Sequence, residues 1–505
     1  MIIQVIWFKK DLRLTDHRPL AQAAKAGPVL PIYVFEDRLL GAEDFSGRHL
    51  KFIKECLGEL QSSFEDLGGE LLLHRGDVLT SLQAILQEVG GFHLWSHEET
   101  GNGLSYQRDV QVGDWCKTHG ILWTEIPQTG VVRRLSDRDG WSARWNSRMS
   151  ETIVPCPGPE EIQFVAPETL SKIGHITESP PHPELSNQLV LQRGGRSHAL
   201  NLQDSFLQSR GQHYQKEMSS PASAESSCSR MSPYLTFGCI SMRETYQTAR
   251  EHRAGLYEIK RDGGTISPGW LGSLKSYLGR LRWHCHFMQK LEDEPSIEFH
   301  NFSRTCDGLR EDHWNQEWHE AWCAGQTGYP MIDAAMRYLN HTGWINFRMR
   351  AMLVSFSSYH LWNHWREPAH HLARLFTDYE PGIHYSQVQM QSGVTGINTV
   401  RIYSPIKQAE DQDPNGDFIR RWVPELEGLP SPLIFRPEAL TTMEQSLYGC
   451  RIGTDYPAPL VDHREAYETA RKRMYGLRGT SKSREEANRI QAKHGSRRRG
   501  ARSWR

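Results

Sequence analysis

Residues 1–35 read MIIQVIWFKKDLRLTDHRPLAQAAKAGPVLPIYVF, and this stretch decides the fold of the first part of the chain. Ile2–Phe8 and Val29–Phe35 are short apolar runs rich in β-branched and aromatic residues, the composition of buried strands. Similar runs recur at Glu70–His74, Phe92–His97 and Ile121–Ile126, separated by stretches such as His49–Leu67 whose apolar residues fall at helical spacing. Repeated βα units imply a doubly wound parallel sheet. Strand ends at Phe8–Asp11 and Trp95–Gly101 then point toward a crevice suited to a nucleotide-like ligand, with Lys10, Glu98 and Asn102 among its residues. No GxGxxG or GxxxxGK follows the first strand, which excludes a dinucleotide fingerprint and a P-loop there.

Beyond residue 132 the pattern changes. From Arg133 to Asn201 the chain is punctuated by Pro, Ser and Gly (PCPGPEE, ESPPHPELSN), which reads as a long connection over the surface. After it the strand signals vanish. Leu202–Tyr214, Met242–Ala254, Trp270–Leu291, Asp312–Ala324, Met331–Leu339, Phe347–Trp362 and Ala369–Phe376 all read as helices. The expected organisation is therefore α/β plus all-α: a parallel-sheet domain over 1–132, a connection over 133–201, a helical domain over 202–477, and a basic, disordered tail over 478–505.

The 505 residues carry 59 Lys and Arg against 60 Asp and Glu, and no apolar run approaches the ~18 residues of a bilayer span. Membrane and collagen-like classes are excluded. The near-neutral total hides thirteen Lys and Arg between Arg471 and Arg505 against only Glu485 and Glu486, the charge pattern of a nucleic-acid arm or a solvated tail. The nine Cys form no CxxC pair, so they read as reduced thiols, and the start of the chain shows no secretory pattern. A cytoplasmic monomer is expected. No metal site is expected either: His284, Cys285 and His286, or His360, His364, His370 and His371, lack an HExxH motif or an acidic third ligand.

Three segments of the helical half carry chemistry. Cys228–Arg243, CSRMSPYLTFGCISMR, is a Ser-containing turn entering a helix, suited to a diphosphate and equally to an ordinary Ser N-cap. Gly328–Arg350, GYPMIDAAMRYLNHTGWINFRMR, places Asp333 and Arg337 at i,i+4, the spacing of a surface pair, ahead of Trp344 and the Arg348/Arg350 doublet. Thr377–Gln408, TDYEPGIHYSQVQMQSGVTGINTVRIYSPIKQ, is polar, Gly-rich and long, which points to a binding loop.

Taken in order with WFKKDLRLTDHRPL, these segments closely resemble the photolyase/cryptochrome family of flavoproteins, from Ile2 to about Leu477, including its SPYL, GYPxxDAAMR, TGW and RIYSP blocks. The resemblance implies an α/β antenna domain, a helical domain enclosing FAD in a bent conformation, and blue-light-driven electron transfer from reduced flavin to damaged DNA, or light signalling. It places diphosphate contacts on Ser229, Arg230, Met231 and Ser232, with Cys228 where Thr is usual. Tyr214 is matched to a flavin-side Tyr. Arg350 and Asp378 correspond to the ion pair beside the isoalloxazine, with Glu380 as a second contact of the cofactor. His384 falls at the position facing flavin N5, usually Asn, where it could donate a hydrogen bond or hold a proton nearby. An antenna folate, an antenna deazaflavin or no second chromophore all remain compatible with the crevice.

The resemblance also implies a DNA pocket, and here this chain departs from it. Trp283 matches the Trp that stacks on a flipped dimer and Arg348 an Arg of the pocket, with Gln408 among the expected DNA-binding residues. Arg280, however, stands in place of a Glu, Phe347 in place of an Asn, and Ala351 in place of a Met. The paired His of many (6-4) enzymes has no counterpart in WINFRMR, and the four Cys of the iron–sulfur branch are not matched. Trp365 corresponds to the middle Trp of the electron relay, but the flavin-proximal position is Val388 and the distal one lies near Asp312. Trp314, Trp318 and Trp322 recur every four residues and offer another relay or a packing stripe. The reading favoured is a light-driven photolyase acting on pyrimidine dimers. The alternative is a cryptochrome-like photoreceptor without repair.

Overall fold

The computed structural model describes residues 1–174, 180 and 185–495. Strands β1 (Ile3–Phe8), β2 (Val29–Glu36), β3 (Leu72–Gly76), β4 (Phe92–His97) and β5 (Leu122–Ile126) form one parallel sheet in the order β3-β2-β1-β4-β5. Central β1 pairs with β2 on one side, Trp7 opposite Ile32, and with β4 on the other, Val5 opposite Leu94. Helices α1 (Arg18–Ala26), α2 (Gly47–Asp66), α3 (Val78–Val89) and α4 (Gly103–His119) follow the first four strands. Both faces of β1 are buried, which is why its apolar run does not alternate. Strand order reverses direction between β1 and β4, so the crevice opens at their carboxyl ends. There the Asp11 carboxylate accepts hydrogen bonds from His17 Nε2 (3.0 Å), His97 Nδ1 (2.7 Å) and the Lys9 N–H (2.7 Å), tying β1, α1 and β4 together. Burial alone would raise the Asp11 pKa, but the bonds from His17 and His97 hold it well below the usual range.

The described part of the connection over 133–201 is more ordered than its composition suggests. Helices Trp141–Met149 and Pro167–Ile173 interrupt it, and Trp141, Trp145 and Met149 enter the core with Leu281 and Cys285. The helical half begins at α5 (Arg196–Gln208), a few residues before the expected start. It continues with α6 (Met242–Arg261), α7 (Trp270–Asp293), α8 (Gln316–Ala324), α9 (Pro330–Thr342), α10 (Phe347–Ser355), α11 (Arg366–Leu375), α12 (Pro381–Gln391), α13 (His463–Arg478) and α14 (Ser481–His494).

Several expectations are corrected. The helix expected over 347–362 ends at Ser355 and widens into a π-type turn over Phe356–His360. The stretch 377–408 is not one long loop, because α12 and a helix over Pro405–Gln412 lie within it. Asp333 and Arg337 make no surface pair: Asp333 is buried, accepting from the Thr327 N–H and hydroxyl, the Gly328 N–H and the Tyr456 hydroxyl, while Arg337 pairs with Glu425 at 2.8 Å. The disordered tail expected from 478 is helical through α14. Ile490 inserts among Leu291, Ile297 and Phe302, and Lys493 and His494 both reach Glu294. The Arg cluster from Arg497 onward lies outside the described residues.

The two halves share a core in which Phe8, Phe52 and Leu57 pack with Met231, Tyr234 and Phe237. Their backbones touch as well: Leu12 N–H donates to Phe237 O at 3.1 Å, and a Cβ at Gly238, whose φ is +68°, would meet Lys10 O at 2.3 Å. At this position glycine is required both for space and for the left-handed conformation. A buried ion pair, Arg243–Asp16 at 2.6 Å, adds to the seam.

Candidate functional site

The turn Cys228–Ser232 lies between two short helices, Pro221–Ser227 and Ser232–Thr236. Arg230 has φ +61° and Met231 φ −78°, a left–right succession that turns consecutive N–H groups into one concavity and suits an anion. Arg210, which the sequence did not single out, clamps the turn from behind by donating to Ser226 O (2.9 Å) and Cys228 O (2.6 Å). Arg230 stacks its guanidinium 4.0 Å above the Trp344 ring and donates to Gln192 at 3.1 Å. The Met231 side chain is buried in the shared core, so it is the backbone of this residue that faces a ligand. Tyr214 packs edge-on against Phe206 and Tyr277 beneath the turn.

Arg350 and Asp378 are brought together as expected. The Arg350 Nη2 donates to Asp378 Oδ2 at 2.9 Å and its Nε to Ile345 O at 2.8 Å, while the guanidinium lies 4.0 Å from the Phe376 ring. Glu380, two residues on, is buried and its pKa is raised by desolvation, opposed chiefly by Lys10 of the α/β half at 3.6 Å. His384 sits on α12, inside a helix and not in a loop. Its Nε2 lies 2.9 Å from Ala369 O, and burial pushes its pKa down to about 4. Helices α7 and α12 approach closely because position 382 is glycine: a Cβ there would meet the Met288 Cα at 2.6 Å.

These segments share a further property. They carry a group of buried polar atoms without a protein partner: Asp378 Oδ1, Glu380 Oε1, Thr377 Oγ1, Asn346 Oδ1, Arg348 Nε, both ring nitrogens of His284 and both amide atoms of Gln387. Asn346 is oriented by its amide nitrogen, which donates to Met218 O and Ser219 O, so its oxygen is the free end. Polar groups buried to this extent are ordinarily satisfied. A ligand rich in donors and acceptors, carrying a diphosphate at one end and a heteroaromatic ring at the other, satisfies such a wall, and FAD fits. His284 and Gln387 were not among the expected contacts; only the orphaned atoms identify them.

Beside this wall, Trp283 and Phe347 are the exposed aromatics, 49% and 43% accessible. Arg280 lies between them, its guanidinium 4.5 Å from the Trp283 ring and 5.5 Å from that of Phe347. Arg348 is half-buried, with Nη1 3.5 Å from Gln408 Oε1. Trp365, expected to belong to an electron relay, is sealed in the core, donating to Asn301 at 2.8 Å, with Tyr385 edge-on at 6.3 Å. Trp314 precedes α8 and does not extend a tryptophan stripe. Instead, His319 bridges Trp314 (4.7 Å) and Trp322 (5.8 Å), and His371 follows at 5.6 Å from Trp322. The histidines considered for metal diverge: His360 bonds to His463 at 3.0 Å and His370 pairs with Glu43 at 3.3 Å. Among the described residues only Asp11, His17 and His97 bring three ligand atoms together, and hydrogen bonds account for that group.

The sheet crevice is a cavity of about 120 Å³ between the halves, lined by Lys10, Glu36, Asp44, Asn102, Arg108 and Tyr379. Glu98 lines a smaller neighbouring cavity with His284 and Glu380.

Comparison with known proteins agrees with this geometry. The family model described as DNA photolyase matches residues 4–135, and the one described as the FAD binding domain of DNA photolyase matches 277–476. A cryptochrome DASH of Gloeobacter violaceus is 29% identical over 485 residues, 90% of this chain and 92% of that protein. A deoxyribodipyrimidine photo-lyase of Streptomyces griseus is 29% identical over 476 residues, 90% of this chain and 96% of that protein. The crystal structure of a bacterial class III photolyase from Agrobacterium tumefaciens superposes with a TM-score of 0.78 at 25% identity, covering 95% of this chain and 98% of that one. With a sheet domain and an FAD-binding helical domain each matched in its own place, the chain belongs to the photolyase/cryptochrome family.

Proposed function

We propose that this protein is a blue-light-driven DNA photolyase acting on pyrimidine dimers. The observation that carries the reading is the pair of exposed aromatic faces, Trp283 and Phe347, set beside the wall of unpartnered polar atoms. The polar wall with the Arg350–Asp378 pair would hold FAD, which in its reduced form would supply the photoexcited electron that dimer splitting needs. The protein's own part is positional. Trp283 gives a flipped base a stacking platform, Arg348 offers a charged contact steadied by Gln408, and the Arg350–Asp378 pair fixes the polar edge of the flavin site. Arg280 must leave its place between Trp283 and Phe347 to admit a base, and its charge then becomes available to the DNA backbone. The nine Cys are all unpaired, which supports a reducing, cytoplasmic setting for work on DNA. Among the described residues no helix is long and apolar enough to cross a membrane.

A second reading is favoured by two observations: Arg280 occupies the aromatic slot, and Val388 leaves the flavin-proximal relay position without an aromatic ring. Both suit a photoreceptor without repair. Dithionite-reduced protein illuminated with blue light over oligonucleotides carrying defined cyclobutane or (6-4) lesions separates the two. Restored bases support the photolyase; unchanged lesions in both substrates, with a normal flavin spectrum, leave the photoreceptor.

A further inference from the structure

We propose that Cys56 and Cys239 are the site of an oxidative clasp, a disulfide that hydrogen peroxide closes across the two halves of the molecule.

Cys56 lies on α2 of the sheet half, and Cys239 follows the short helix Ser232–Thr236 of the other, 183 residues further along the chain. Their sulfurs are 3.3 Å apart, close enough for one thiol to donate a hydrogen bond to the other. A disulfide requires about 2.05 Å, so small rotations about the two Cα–Cβ bonds close the gap. Among the described residues no other two thiols are in hydrogen-bond contact.

Backbone holds both sulfurs where they are. The Gly195 N–H donates to Cys56 Sγ at 3.2 Å, and a Cβ at Gly194 would meet the same sulfur at 2.8 Å, so the chain at 194–195 is pressed onto Cys56. The Cys239 N–H donates to Tyr234 O at 2.9 Å, and its carbonyl accepts from Arg196 Nη1 at 3.3 Å. Cys239 also follows Gly238, whose left-handed backbone lies against Lys10 O. Neither sulfur can swing away without loosening the seam, and such fixed geometry raises the effective concentration of one thiol at the other.

The reaction balances with peroxide as oxidant. The Cys56 sulfur attacks one peroxide oxygen; the O–O bond breaks, the departing hydroxide takes the thiol proton as water, and Cys56 becomes a sulfenic acid. The Cys239 sulfur then attacks the sulfenic sulfur, the S–O bond breaks, and the second hydroxide leaves as water with the Cys239 proton. Each sulfur gives up one electron and the two oxygens of peroxide receive them. Burial, and then the bond with Cys239, raise the Cys56 pKa, with the Gly195 N–H in opposition. The resting pair is therefore a pair of thiols, and the clasp closes slowly under sustained oxidant.

The test uses the full-length protein loaded with FAD, first reduced, then freed of reductant and exposed to hydrogen peroxide in the dark. Remaining thiols are alkylated, and peptides are mapped by mass spectrometry without reduction. The expected product is a cross-linked pair of peptides carrying Cys56 and Cys239, two hydrogens lighter than the separate peptides and split by reductant. Because the bond closes a loop of 183 residues, the thermal midpoint should rise by about 3–5 °C on oxidation and fall back on reduction. Cys239→Ala should abolish both effects. Cys156→Ala, at the half-buried thiol packed against the same core, should abolish neither. Recovery of both residues as thiols, sulfinic or sulfonic acid at Cys56 without the cross-link, or a Cys56–Cys156 pair would overturn the proposal. A cross-link that leaves the midpoint unmoved would show that the bond does not fasten the halves. Should Cys239→Ala fail to fold, the peptide map of the wild type decides the matter.

Discussion

Lys10 at the end of β1 and Glu380 at the entrance of α12 meet across the two halves of the molecule, Nζ 3.6 Å from Oε2. Glu380 is buried and its second oxygen has no protein partner, so Lys10 is the main group holding the carboxylate charged. Lys10 itself is a quarter exposed, so its removal as Lys10→Met is expected to cost about 1–3 kcal/mol, less than a fully buried pair. The sign of the pH dependence follows. A Glu whose folded pKa is raised binds more protons folded than unfolded, so stability falls as pH rises from the ordinary Glu range through the raised value. Urea unfolding of the flavin-free protein from pH 4 to 8 should show this fall, steeper in Lys10→Met.

Glu298 gives a second, separable pH effect. Its carboxylate accepts from the Gly103 N–H at 2.6 Å at the start of α4, yet desolvation outweighs that bond and raises its pKa to about 7. Stability should therefore decline between about pH 4.5 and pH 7 on its account. Glu298→Gln keeps an acceptor for Gly103 without the charge, and is expected to gain about 1–3 kcal/mol at pH 8 and little at pH 4. Equal gains at both pH values, read from urea midpoints, would contradict this.

Arg350→Leu leaves Asp378 buried without its cation; because Arg350, like Lys10, is about a quarter exposed, a loss of about 1–3 kcal/mol is expected. FAD occupancy after purification should collapse. Wild-type occupancy, measured from the ratio of flavin to protein absorbance, would show that the pair does not anchor the cofactor.

Trp283→Ala should remove about 1–3 kcal/mol of base stacking and with it much of the preference for damaged over intact DNA. The dependence of affinity on salt should stay as it was, because phosphate contacts are untouched. Titrations with damaged and undamaged duplexes at several salt concentrations read both quantities.

Ile490→Ala tests the docking of α14. Ile490 is 3% exposed within a small cluster, so about 2–3 kcal/mol of stability should be lost. The salt slope of DNA binding should not change. A flattened slope would instead assign α14 to phosphate contact and explain its Lys and Arg as a DNA arm.

The strands were legible because β1 is covered on both faces and its apolar run is broken only by Gln4, and the ion pair at Arg350 and Asp378 because its two segments matched a known pattern. Other features were hidden for physical reasons. The α12 helix carries Ser386 against α7, His384 against α11 and Gln387 in the polar wall, so its composition reads as a loop. The tail helix was masked by charge: it docks through Ile490 together with the Lys493 and His494 contacts to Glu294. Asp333 shows the limit of spacing rules, since i,i+4 placement with Arg337 says nothing of the Thr327, Gly328 and Tyr456 groups that fold back onto it. His284 and Gln387 became visible only through atoms that the folded protein leaves unpaired.

The packing of Phe52 and Leu57 with Tyr234 and Phe237, and the backbone contact at Gly238, bear on how the molecule is inherited and engineered. Two family models divide the chain, but the interior does not divide with them. Cutting between the halves would expose an aromatic face on each fragment, and a Gly238→Ala change would act on both at once. A calorimeter should accordingly record one cooperative endotherm for the flavin-free chain, and recombining halves from distant relatives should succeed only where the aromatic residues on both sides are exchanged as a set.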